Sequence, residues 1–347
     1  MTNNATNPTY TLTDCNWELT LRCTLNCMHC GSRAGKARLN ELSVVECFSV
    51  ADELVALGCK ELTIIGGEVF LFREWDRLSE YLTDKGISVN IVTNGYKVGE
   101  SEVEQIKRAK LVNVGISIDG MEVNHNRIRG RRDAFQRIRN TLDLLNKEGI
   151  RVAAVTTLMK FNCADLDDLY VFLLEHDVQV WQLQLANAMG NMADKEEFIT
   201  SPGQVRQVIN FIRDKNRDRR MAVIAADNIG YFDENETEIR GRSSPICYWG
   251  GCTAGISGVF IDSIGNIKGC GALYSDVFIE GNVRKTSLTE IWNSKNSFAY
   301  NRKFTTDLLL GMCKGCEVGN VCKGGCRSSN YFSTKSLYSN AFCARYR

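Results

Sequence analysis

Proline is scarce in this chain, with three residues in 347. With no low-complexity tract either, the sequence argues against long flexible linkers. An excess of charge is also missing. Lys and Arg number 42 against 41 Asp and Glu, for a formal net charge of +1 and a pI near 7.4. That balance excludes nucleic acid and anionic membrane surfaces as the default partners. No apolar run approaches the roughly 18 residues of a membrane span, and the polar stretch Met1–Asp14 lacks the core of a signal peptide. A cytoplasmic location is expected. What is plentiful is apolar surface, at 44% hydrophobic residues, enough for a large core. The length predicts about two domains at ~150 residues each.

Cysteine is the residue in excess, with fifteen copies. In the cytosol that many read as metal ligands rather than disulfides. Eleven fall into two arrays. The first is Cys23-x3-Cys27-x2-Cys30. The second is Cys247-x4-Cys252-x17-Cys270, then Cys313-x2-Cys316-x5-Cys322-x3-Cys326, then Cys343. Thiolates hold 4Fe–4S cubanes, usually four to a cluster. An isolated group of three leaves one iron without a protein ligand, and so leaves room for a substrate or cofactor. The competing reading of the first array is a zinc site with His29 as the fourth ligand.

Residues 16–190 repeat a strand-then-helix pattern. Strands are predicted at Asn16–Leu21, Glu61–Ile65, Ile87–Thr93, Val112–Ile118, Ile150–Leu158 and Val178–Ala186. Several are near-continuous apolar runs, as parallel strands buried on both faces require. Ser43-Val44-Val45-Glu46 is a capping box opening a helix that Gly58 closes. Asp133–Lys147 reads as another helix, ended by Gly149. Ser201-Pro202-Gly203-Gln204 caps a further one, running to about Asn216. Six units predict an α/β fold, a partial (β/α)6 barrel of parallel strands. The pattern is expected to stop near residue 220. The chain divides into a tail at 1–15, a core at 16–220, a linker or bridging region at 221–245, and a Cys- and Gly-rich extension at 246–347. That extension is expected to be irregular, with one short helix at Ser287–Asn293, and to be stapled by clusters.

Three motifs close successive strands: Gly66-Gly67-Glu68, Thr93-Asn94-Gly95 and Ser117-Ile118-Asp119-Gly120, with Arg127 and Arg129 shortly after. With Cys23, Cys27 and Cys30 after the first strand, they gather at the C-terminal mouth of the barrel, where α/β barrels carry their active sites. This combination resembles the radical S-adenosylmethionine (SAM) superfamily. The resemblance implies that the open iron chelates the amino and carboxylate groups of SAM, and that one electron from the cluster yields a 5′-deoxyadenosyl radical that abstracts hydrogen from substrate. It also implies contacts from Gly66, Gly67 and Glu68 to the methionyl amino group. Ser117 and Arg129 would contact the ribose and carboxylate side, with Asn94 and Gln184 as further candidates. His29 stands where relatives often carry an aromatic residue near adenine.

The second array resembles the SPASM extension of that superfamily, with Gly265 to Cys270, Gly281-Asn282 and Ser287–Trp292 also matching. The resemblance implies two auxiliary 4Fe–4S clusters in a crossed arrangement. Cys247, Cys252, Cys270 and Cys326 would hold one, and Cys313, Cys316, Cys322 and Cys343 the other. Four cysteines remain. Cys47 and Cys59 read as small buried hydrophobes, Cys15 lies at the barrel's bottom, and Cys163 follows the fifth strand. Cys163 is a candidate hydrogen-atom donor if the reaction is an epimerisation.

The implied activity is the modification of a ribosomally made peptide by cross-linking or epimerisation. The alternative is a small molecule such as a carbohydrate. Sulfatase maturation is disfavoured, because Gly271 stands where such enzymes carry an acidic residue. An electron-transfer role is disfavoured by the open iron. The expected partners are a peptide or small-molecule substrate and a reductant such as flavodoxin or ferredoxin. Because the first strand begins near residue 16, a peptide would need a separate leader-binding protein or another docking surface.

Overall fold

All six predicted strands form, most of them trimmed at one end or both. In the computed structural model, which describes residues 10–240 and 248–346, they are β1 Asp14–Glu18, β2 Glu61–Ile65, β3 Ser88–Thr93, β4 Asn113–Ser117, β5 Val152–Leu158 and β6 Val180–Leu185. Each pairs in parallel with the next in sequence. β1 starts and ends earlier than predicted. Past Glu18 the chain lifts off to ride over the end of β2, with Leu19 N donating to Ile65 O and Gly67 N to Thr20 O.

The helices cover the outside of the sheet: α1 Val44–Ala56, α2 Trp75–Asp84, α3 Glu100–Arg108, α4 Glu122–Arg129, α5 Ala134–Lys147, α6 Leu166–Glu175 and α7 Pro202–Asp218. The capping boxes at Ser43/Glu46 and Ser201/Gln204 are both formed, with Pro202 in the first turn. Gly58 leaves α1 with φ +90°, a conformation that costs glycine little. α1 buries Cys47, Val50, Ala51 and Leu54, and burying a Val or Leu contributes about 1.5–3 kcal/mol each.

The pattern does not stop at residue 220. A seventh parallel strand, β7 Ala222–Ala225, joins β6. On the other edge β8 Gly258–Ile261 pairs in parallel with β1, and β9 Asn266–Lys268 and β10 Gly281–Asn282 follow antiparallel. Among the described residues the sheet has ten strands, in the order β10-β9-β8-β1-β2-β3-β4-β5-β6-β7. These four additions escape a periodicity reading because they are only two to four residues long. Among the described residues five further helices follow: α8 Glu236–Arg240, α9 Leu288–Asn293, α10 Ala299–Arg302, α11 Gly319–Cys322 and α12 Arg327–Thr334.

The C-terminal stretch is correspondingly less irregular than expected. Val259, Ile261, Ile267, Leu288, Ile291, Trp292 and Phe298 belong to the same hydrophobic core as the barrel. Trp292 donates from Nε1 to Tyr10 O at 3.0 Å, tying α9 to the N-terminal segment. Tyr231, Trp249, Cys322, Cys326 and Cys343 form a separate small cluster.

Candidate active site and cluster-binding cysteines

The loop carrying Cys23, Cys27 and Cys30 lies against the end of β2. A Cβ at Gly67 would stand 2.4 Å from Arg22 O and 2.5 Å from Leu21 O, and one at Gly66 would stand 2.7 Å from Thr20 O. Both glycines are therefore required for the loop to lie this close. Glu68 N donates to Arg22 O at 2.8 Å and continues the clamp. On the other side Asn191 donates from N to Cys30 O and from Nδ2 to Cys27 O, each at 2.9 Å. The thiols are met by donors. Ala34 N reaches Cys30 Sγ at 3.2 Å, Leu25 N reaches Cys23 Sγ at 3.5 Å, and Arg129 Nη1 reaches Cys27 Sγ at 3.6 Å.

These groups open onto one cavity of about 680 Å³ inside the barrel. Cys23, Cys27, Cys30, His29, Gly66, Gly67, Asn94, Ser117, Arg129 and Gln184 all line it. Two predicted site residues do not. Glu68 is buried behind the wall, where its carboxylate accepts from Thr93 Oγ1 at 2.7 Å and Asn94 N at 2.9 Å. Burial pushes that carboxyl up, against the pull of these hydrogen bonds. Cys163 lies outside the cavity, which corrects the expectation that it faces the first cluster. A 3-10 turn at Asn162–Asp165 carries it back against the core, where its thiol donates to Met159 O at 3.2 Å. Burial alone pushes that thiol up to about 11.

Asp119 organises the site, though the sequence reading held it only as part of a motif. It is fully buried, its Oδ2 lying 2.8 Å from His29 Nε2 and 2.7 Å from Arg129 Nη2, while Oδ1 accepts from Thr157 N at 3.0 Å. Burial by itself would raise its carboxyl. Arg129 and then His29 override that and hold it below the usual carboxylate range. His29 is thus turned to Asp119 through Nε2, and the zinc reading fails on the convergence of the ligands, since among the described residues no three His, Cys, Asp or Glu side chains gather around one point. Removing one partner of a buried ion pair costs about 3–5 kcal/mol. Asp119→Asn should therefore lower the urea midpoint strongly, and the Asp119→Asn/Arg129→Met double variant should lose less than the sum of the singles. Additive losses would show that the two groups do not act as a pair.

The second array separates into two groups. Cys252, Cys270 and Cys326 line a second cavity of about 710 Å³. Cys313, Cys316, Cys322 and Cys343 together line a smaller one beside Tyr231. Cys247 lies outside the described residues. The two large cavities share Asn16, Gln182, Gln184, Asn187 and Ala272 in their walls, so the barrel interior continues into the region of Cys252.

The family model of the radical SAM superfamily matches residues 17–173, and that of SPASM, an iron–sulfur cluster-binding domain, matches residues 252–317. The chain carries a radical SAM domain followed by a SPASM domain. Its radical SAM and SPASM domains are followed through most of the length of similar proteins. An AdoMet-dependent heme synthase of Methanosarcina barkeri is 26% identical over 92% of both chains. The mycofactocin maturase MftC of Mycolicibacterium smegmatis is 25% identical over 91% of this chain and 78% of its own. In fold, this radical SAM chain superposes on Streptococcus suis SuiB bound to S-adenosylmethionine with a TM-score of 0.75, at 18% identity over 96% of this chain and 78% of SuiB. It superposes on anSMEcpe with bound AdoMet at 0.72, at 20% identity over 95% and 94%.

The cofactors of this family are SAM and 4Fe–4S clusters, and the residues present fit them. A cavity of this size suits a nucleoside-sized ligand. Buried Arg129 keeps its Nε without a partner among the described residues while lining that cavity, so a donor is left for a bound group. Among the described residues no three His, Cys, Asp or Glu side chains converge as a single metal ion requires. Three thiolates around a cubane each meet a different iron.

Proposed function

We propose that this chain is a radical SAM enzyme that modifies a peptide, with Cys23, Cys27 and Cys30 as the ligands of its catalytic cluster. The observation that carries the reading is the meeting of three donor-capped thiols, the backbone of Gly66 and Gly67, and a polar cavity at one barrel mouth. A cluster bound there supplies the electron that cleaves SAM to the 5′-deoxyadenosyl radical. The chain's own residues do the rest. Gly66, Gly67 and Asn94 receive the methionyl end, and Ser117, His29 and Arg129 face the remainder of the cofactor. Glu68 acts as a positioning residue, fixing Asn94 through its backbone N–H. Gln184 stands at the junction of the two cavities. We assign Cys252, Cys270 and Cys326, with Cys247, to one auxiliary cluster and the other four cysteines to a second. A reductant such as flavodoxin or ferredoxin completes the cycle.

Support for a peptide comes from the fold, which in SuiB accommodates the precursor peptide SuiA and in anSMEcpe the Cp18Cys peptide. The heme synthase relatives favour a small-molecule alternative. Gly271 speaks against sulfatase maturation for a second reason, since a Cβ there would stand 2.6 Å from the Phe260 ring.

Anaerobically reconstituted protein given dithionite and SAM should form 5′-deoxyadenosine and hold about twelve irons per chain, at four per cubane. Absence of 5′-deoxyadenosine would sink the catalytic reading. Iron near a single cubane's worth would sink the auxiliary clusters.

A further inference from the structure

Below the mouth the barrel carries a row of uncharged polar side chains at one level of the sheet. The strand register aligns Asn16 with Thr63, Thr63 with Asn90, and Asn90 with Asn113. All four line the cavity, and Gln182 faces it from β6. Asn90 and Asn113 lie four residues before Asn94 and Ser117, which places the row about 13 Å below the mouth. Two of its members are chained to an acceptor. Asn113 Nδ2 donates to Asn90 Oδ1 at 2.6 Å, and Asn90 Nδ2 donates to Glu61 Oε1 at 3.0 Å. The other three, Asn16, Thr63 and Gln182, make no side-chain hydrogen bond among the described residues, so their amides and hydroxyl are presented to whatever enters. Asn16 and Gln182 also stand in the wall of the second cavity.

In the barrel cavity the charges around this floor are already committed or negative. The described Arg or Lys lining the barrel cavity is Arg129, held by Asp119; in the second cavity Arg240 is paired with Glu236, while Arg327 donates to neutral acceptors, Asn301 and the carbonyls of Lys323 and Leu337. Glu61, Asp14 and Asp227 add carboxylates. A polyanionic ligand on the barrel floor would be desolvated beside Glu61, with the described guanidinium of that cavity already paired to Asp119, which is costly. No Phe, Tyr or Trp among the described residues lines the barrel cavity to stack a flat macrocycle or a sugar face.

The geometry points to a second substrate subsite on the barrel floor, in which Asn16, Thr63 and Gln182 hydrogen-bond an uncharged, amide- or hydroxyl-bearing peptide segment remote from the reacting carbon. This rests on reading the cavity as the substrate site of the proposed enzyme. It narrows the substrate to a peptide neutral over the bound stretch, and it disfavours a carboxylate-rich porphyrin.

The test uses the reconstituted holoenzyme with SAM, immobilised under anaerobic conditions. It is offered a randomised library of blocked heptapeptides built from Gly, Ala, Ser, Thr, Asn, Gln, Asp and Glu, and separately Fe-coproporphyrin III, with retained material read by mass spectrometry. Retention of Asn-, Gln-, Ser- and Thr-bearing peptides over acidic ones is expected. In Asn16→Ala and Gln182→Ala retention should fall about tenfold, as loss of one or two hydrogen bonds dictates. Neither side chain makes a hydrogen bond among the described residues, so the variants are expected to keep the wild-type unfolding midpoint, which is measured alongside. Preferential retention of acidic peptides or of the porphyrin, no retention of any peptide, or unchanged enrichment in both variants would overturn the subsite. A wild type that forms no 5′-deoxyadenosine under dithionite strikes the proposed reaction instead, and that assay is run separately on the same preparation.

Discussion

Cys27→Ala should reduce 5′-deoxyadenosine formation from SAM to the level of protein-free controls. Of the three thiols in the first array, Cys27 is the most buried, and Arg129 Nη1 reaches its sulfur from a fully enclosed ion pair with Asp119. Burial pushes the free thiol up to about 11, with Arg129 pulling the other way. That environment favours a thiolate only when a metal shares the charge. Under the proposed assignment, a cubane would keep two ligands in this loop without Cys27, and a buried guanidinium loses an acceptor. Even the outer partners of metal ligands cost about 10–100-fold when removed, so a ligand should cost at least the upper end of that range. Cys47→Ala serves as the control. Cys47 lies on the inner face of α1, away from the cavity, and burial pushes its thiol up to about 12. Its loss should leave cleavage intact. Cleavage by Cys27→Ala within a few-fold of wild type would move the catalytic cluster elsewhere.

Most residues that line the candidate site were legible in the sequence because residue types survive without coordinates. Thiols at close spacing and small polar groups after successive strands are visible as letters. What the letters hide is direction. Glu68 reads as a ligand-facing carboxylate, yet the wall it belongs to turns it toward Thr93 and Asn94. Cys163 follows a barrel strand, yet one 3-10 turn rotates it onto the core. Gly66 and Gly67 read as a place where backbone approaches a ligand, and the structure adds the nearer backbone of Leu21 and Arg22. Asp119 and Asn191 act through hydrogen bonds to partners 90 and 164 residues away, and a single sequence carries no trace of such pairs. The division of the second array between two cavities likewise depends on loops joining Cys252 to Cys326, 74 positions further along the chain.

Removing iron should divide the C-terminal third into a part that stays folded and a part that does not. The residues from Ala254 to Asn301 include β8, β9, β10 and α9, and they place Val259, Ile261, Ile267, Leu288, Trp292 and Phe298 in the barrel's own core. Arg302 reinforces that attachment, stacking over Tyr10 and Trp292 and donating to Gly255 O. Residues 306–346 have little of this. Their buried cysteines group with Tyr231 and Trp249 in a small separate cluster, and Leu308, Leu310 and Met312 stay exposed. Gly311, Gly315, Gly324 and Gly325 all take positive φ, and the helix at Arg327–Thr334 buries polar side chains, Arg327, Ser328, Ser329 and Asn330, rather than apolar ones. Metal ligation then supplies folding free energy that the apolar surface does not. Limited proteolysis of chelator-treated protein, read by intact mass, should release fragments from 306–346 at least about tenfold faster than in the reconstituted form, while cuts within 254–301 change little. Equal resistance of 306–346 with and without iron would show that this segment holds itself together. Simultaneous loss of both parts would show that the whole extension folds as one unit around its clusters.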